Sequence, residues 1–164
     1  LMRSVIAALR MTVFVLAGIS AVSVCATILV VCADIFLRLP FINRPFTGAY
    51  DIVRIAGAIT LAAALPYTTA VKGHVAIEFF FHKLGRKSRV VVDSGMRLLS
   101  IVMFAFIAWR SFLYGFDLYS NNQVSQTLKM PIFWVPMFIG FCCAVVALVI
   151  VHHLIYPNKE MIKP

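Results

Sequence analysis

The chain has 164 residues, 62% of them hydrophobic and only 13% charged, and it carries a net charge of +9. A soluble domain is nearer half apolar, so these proportions and a mean hydropathy of +0.96 exclude an ordinary water-soluble fold. The basic residues flank membrane-length apolar runs instead of gathering on one solvated face, which argues for anionic lipid and against nucleic acid as their partner.

The first apolar run is uncharged from Met11 to Ala33. Arg3 and Arg10 before it resemble the start of a signal peptide, but the run is too long for a cleaved h-region. Val22-Ser23-Val24 before Cys25 is also a poor lipoprotein cleavage site, so the run is expected to remain in the mature protein. It predicts a spanning helix over about 12–37, enough to cross a core of about 30 Å. Asp34 and Arg38 at its end lie four apart and are expected to pair on one face. The stretch 39–49, with two prolines, an Asn and a Gly, is a short connection whose Phe41 and Phe46 belong at headgroup level.

The second span is predicted over about 50–71. Asp51 and Arg54, i and i+3 in its first turn, form a second expected ion pair. Its body is rich in small residues, and Ala56, Ala58 and Ala62 are expected to pack against another helix, because in lipid close van der Waals contact drives association. Pro66 should bend its last turns. An amphipathic arm follows over about 74–86. His74, Glu78 and His82 make one polar stripe at i, i+4 and i+8, read as a solvent-facing stripe and not as a metal site. Phe79, Phe80 and Phe81 are expected to enter the interface, with Lys83, Arg86, Lys87 and Arg89 among anionic phospholipid headgroups.

The third span is predicted over about 90–114, with Asp93 and Arg97 at i and i+4 neutralising one another near its start. Trp109, Tyr114 and Tyr119 make an aromatic belt at the far end. Residues 116–130 are the most polar stretch and are expected to be an aqueous connection. Pro131 is then expected to open the fourth span, about 131–156, where proline is tolerated in the first turn. Gly140 and Ala144 repeat the small-xxx-small spacing of a packing face.

Together these elements predict an all-α integral membrane protein: one membrane domain over 1–164, with four transmembrane helices and an interfacial arm between helices 2 and 3. Arg3, Arg10, Lys72, Lys83, Arg86, Lys87, Arg89, Lys159 and Lys163 fall on one side of that topology. Arg38, Arg44, Arg54, Arg110 and Lys129 fall on the other, accompanied by Asp34, Asp51 and Asp117. The positive-inside rule therefore places both termini and the arm in the cytoplasm of a bacterial inner membrane.

Catalytic signatures are absent from the sequence: there is no P-loop, H-E-x-x-H or G-x-S-x-G. Cys25, Cys32, Cys142 and Cys143 form no C-x-x-C pair, so no zinc site or redox dithiol is expected. The charges cluster toward the ends of the expected spans, whereas ion and proton carriers place theirs near the midplane. A non-enzymatic partner subunit without cofactor or metal is the reading that follows.

Several groups of residues resemble a known family. Arg38-Leu39, Thr47-Gly48 with Asp51–Arg54, Gly73-His74-Val75 with Glu78, and Val124-Ser125-Gln126-Thr127-Leu128 before Pro131 are similar to the small membrane subunit, the Q component, of tripartite ATP-independent periplasmic (TRAP) transporters. That family more often has Asp where Glu78 stands. The resemblance implies a sodium-coupled, binding-protein-dependent secondary transporter for an organic anion. In it a periplasmic binding protein delivers the solute to a large M subunit holding the substrate and sodium sites. The small subunit braces that partner and helps dock the binding protein, a task expected here of Arg44, Asp117 and Lys129. The alternative is a four-helix redox subunit, with His74 and His152 or His153 holding a b-type haem near the cytoplasmic ends of helices 2 and 4.

Overall fold

Apolar runs of membrane length leave the backbone one economical solution in lipid, the α-helix, because it satisfies its own hydrogen bonds. The computed structural model describes residues 2–39, 46–71 and 86–155, with side chains over 6–39, 46–71 and 94–154. These residues form α1 (Met2–Leu37), α2 (Ala49–Ala70), α3 (Arg86–Ser120) and α4 (Trp134–Ile155). Each contains a segment long and apolar enough to cross a membrane: Ile6–Leu37, Ala49–Ala70, Ser94–Ser120 and Trp134–Leu154.

α1 packs on α2, α2 on α4 and α4 on α3, with α1 touching α4 only lightly. α2 and α4 are thus the inner pair, and α1 and α3 flank them. The sequence explains the order. α4 is apolar on every side, as an enclosed helix should be, and half of its spanning segment is buried, against 11% for α3. The small side chains of α2 let both neighbours approach. The core joins Val13 and Leu16 of α1, Ala62, Ala63 and Ala70 of α2, and Cys142, Val145 and Val149 of α4.

Polar ties fix the register of the α1–α2 pair. Ser20 donates to the Thr60 carbonyl at 3.0 Å and Ser23 to the Ala56 carbonyl at 2.9 Å. Interhelical bonds of this kind contribute about 0.6 kcal/mol each in lipid. Pro66 is buried inside α2. Around the turn it disturbs, Thr68 and Thr69 return donors to the Leu65 carbonyl at 2.9 and 2.8 Å. Between α3 and α4 the close approach is at Gly140, where a Cβ would stand 3.2 Å from the Ala108 carbonyl oxygen and 3.3 Å from the Phe112 ring.

Four helix boundaries differ from those expected, one of them the start of α3 at Arg86 instead of about 90. α1 starts at Met2 and α3 continues to Ser120, because a membrane span ends at the headgroups whereas helical hydrogen bonding continues into water until something stops it. Pro131 does not open α4. It pairs with Val124 in an isolated antiparallel bridge, and α4 begins at Trp134 with Pro136 as its first-turn proline. The arm expected over 74–86 lies outside the described residues apart from Arg86, the first residue of α3.

Candidate functional site

Two chain connections meet at one end of the bundle, and a single carboxylate holds them together. Asp51 lies in the first turn of α2, where the helix dipole favours an anion. Its side chain is only 3% exposed. Its Oδ2 accepts hydrogen bonds from the Ser125 hydroxyl, from the Thr127 amide at 2.8 Å and from the Leu128 amide at 3.0 Å. Bonds to a charged acceptor contribute about 1.5–3 kcal/mol each. Leu128 then seats on Gly48, where an added Cβ would come within 2.9 Å of its Cδ2.

The loop that supplies these donors is folded on its own account. Asn122, at φ 48°, closes α3 in a Schellman motif. In it the Asn122 amide donates to the Tyr119 carbonyl at 3.2 Å and the Gln123 amide to the Leu118 carbonyl at 3.0 Å. Beyond it, the Ser125 amide donates to the Met130 carbonyl at 2.8 Å, closing a turn in which Lys129 takes φ 51°. Tyr119 meets Phe133 edge-on at 5.1 Å across the base. The stretch expected to be an aqueous connection is therefore a short helical extension followed by an ordered, pinned loop.

Beside this hub a cavity of about 750 Å³ opens between α2, α3, α4 and the loop. Arg54 and Arg110 line it from opposite helices, and Ile55, Ala58, Phe106 and Ile139 supply much of its apolar wall. Both arginines are exposed, and neither makes a hydrogen bond or ion pair within the described residues. At the far end of the bundle Arg97 donates to the His153 carbonyl at 2.5 Å, placing a cation on the C-terminal turn of α4.

The expected site residues fall out as follows. Asp34 and Arg38 pair at 2.8 Å, and Asp34 also accepts from the Phe46 amide at 3.3 Å, tying the end of α1 to the approach to α2. Asp51 does not pair with Arg54: burial turns its carboxylate to the loop, while Arg54 points to the cavity. The Asp93 side chain lies outside the described residues. Ala56, Ala62 and Gly140, expected to pack against another helix, are buried against helices of this chain. Ala58 lines the cavity and Ala144 is half-buried. Asp117 and Lys129 are exposed at the loop end. Arg44, Phe79, Phe80, Phe81 and Lys83 lie outside the described residues, as do the side chains of Arg86, Lys87 and Arg89 in α3.

Over residues 27–158 the chain matches the family described as tripartite ATP-independent periplasmic transporters, DctQ component. The chain belongs to that family. No curated protein and no solved structure is a significant match. The chain is therefore a multi-pass protein of the bacterial inner membrane and a component of a TRAP transporter, a system that also has a large DctM membrane component and a substrate-binding protein. Its membership gives no support to the haem alternative. In this DctQ subunit, two of the segments that carried the resemblance, Thr47-Gly48 with Asp51 and Val124–Leu128, are the two halves of one contact. Sequence reasoning missed that pairing because donors and acceptor are 74 to 77 residues apart.

Proposed function

We propose that this DctQ subunit is a non-catalytic scaffold of a sodium-coupled, binding-protein-dependent transporter for an organic anion. It braces the large subunit and presents part of the docking surface for the binding protein. The observation that carries the reading is the Asp51 hub. It fixes residues 121–131 as a preformed polar surface at the end of a bundle whose inner seams are already filled. A docking surface held in one shape loses less entropy on binding than a mobile loop. With both termini cytoplasmic by the positive-inside rule, this surface faces the periplasm, where Arg44, Asp117 and Lys129 meet the binding protein through rim charges.

The test is reconstitution. Liposomes holding this subunit alone should show no sodium-driven uptake, and uptake should appear when the large subunit and binding protein are added. Reversing Arg44 and Lys129 to Glu should weaken the response to binding protein most at low salt, where screening is least. Uptake by the lone subunit would overturn the scaffold reading. A charge-reversed complex with an unaltered, salt-insensitive response would overturn the docking assignment alone.

A further inference from the structure

We propose that the loop-end cavity is a site for an anionic phospholipid. Its phosphate sits between Arg54 and Arg110, and an acyl chain lies along Ile55, Ala58, Phe106 and Ile139. This site is separate from the basic arm expected over 74–86 on the other side of the expected topology, and it does not depend on which leaflet the loop end faces.

The first ground is charge. A guanidinium in a spanning helix needs an anion, water or a route to the headgroups. Arg54 stands five residues inside α2, about 8 Å along its axis, and Arg110 four residues inside the expected span end at 114, about 6 Å. Neither has a partner within the described residues. Asp51, the acidic residue of the lining, has Oδ2 committed to three loop donors, so the lining keeps a net positive charge.

The second ground is shape. Among the described residues α2 and α3 make no substantial packing contact, and the cavity occupies the gap between them in front of α4. Its 750 Å³ falls within the range of sites that enclose drug-sized ligands, about 300–1,000 Å³. A free aqueous anion would use the two arginines and leave the apolar wall bare. A neutral lipid tail would use the wall and leave the arginines unpaired. An anionic headgroup on an acyl chain satisfies both, and a guanidinium pair is well suited to phosphate.

Native mass spectrometry of the purified complex of this chain with its large subunit tests the proposal. Delipidated complex is exposed to phosphatidylglycerol, phosphatidylcholine or inorganic phosphate. Wild type should retain phosphatidylglycerol at least tenfold better than phosphatidylcholine. The R54Q/R110Q pair should retain one phosphatidylglycerol fewer per chain, while R54K/R110K keeps it. Ala58→Phe, which fills the apolar half and leaves both charges, should also lose it. If the Gln pair fails to assemble, the Lys pair and Ala58→Phe decide the matter. The proposal is overturned if the Gln pair or Ala58→Phe retains as many lipids as wild type. It is equally overturned if inorganic phosphate displaces the bound lipid. An adduct seen on the chain alone but lost in the complex would assign the cavity to the large subunit.

Discussion

Asp51→Ala is the substitution that should do most damage with the smallest change in volume. It leaves the Ser125 hydroxyl and the Thr127 and Leu128 amides without their acceptor, at a position only 3% exposed. A buried donor left unsatisfied costs about 1–3 kcal/mol, and water entering the vacated space recovers part of that, so the net loss should be about 3–5 kcal/mol. Its effect is local, because helix packing below the hub is untouched. Loop opening should therefore become about a hundredfold to several thousandfold more frequent, at 1.4 kcal/mol per factor of ten. Hydrogen exchange in nanodiscs reads this directly: the Thr127 and Leu128 amides should lose protection by that factor while α4 amides keep theirs. Asp51→Asn retains an acceptor oxygen and should cost about 1–3 kcal/mol, and Ser125→Ala, which removes one donor and orphans nothing, about 1 kcal/mol. Wild-type exchange at Thr127 and Leu128 in Asp51→Ala would refute the hub as the element that orders the loop.

Gly140→Leu should force α3 from α4, since even a Cβ there meets the Ala108 carbonyl oxygen at 3.2 Å; a loss of about 1–3 kcal/mol in thermal stability is expected, and an unchanged melting temperature would show that the helices part freely. In a cysteine-free background, Cys placed at Asn122 should react with an impermeant thiol reagent from the periplasm and Cys at Lys87 should not; the reverse pattern would invert the topology.

The four spans were legible because lipid imposes a simple code, in which long apolar runs between charged flanks have almost no alternative structure. Their ends were less legible. Nothing in hydropathy marks where a helix stops once it has left the membrane, so the extension of α3 to Ser120 became visible only with the Schellman bonds around Asn122. The hub shows a different limit. Local spacing offered Arg54 to Asp51, one turn away, but which face of α2 is buried depends on where the 121–131 loop lands. The small residues were expected to be packing positions, and spacing cannot name the neighbour. Ala62 and Gly140 turned out to serve helices of the same chain.

The distribution of polar contacts bears on how such a bundle could brace a larger protein. In lipid, helices gain little from hiding apolar surface from one another, so register rests on packing shape and on directional bonds. Among the described residues, such bonds join α1 to α2, α2 to the loop that leads into α4, and α3 to α4. Ser20 and Ser23 tie α1 to α2, Asp51 ties α2 to the α3–α4 connection, and Arg97 ties α3 to the end of α4. The ties also stand at three levels along the bundle, so sliding or rotating any one helix breaks a bond without forming another. What remains uncovered is the flanks, where the spanning segments of α1 and α3 are 17% and 11% buried. A rigid centre with two broad apolar flanks is the arrangement a bracing subunit needs, because a partner laid along a flank meets a surface whose parts keep fixed positions relative to one another.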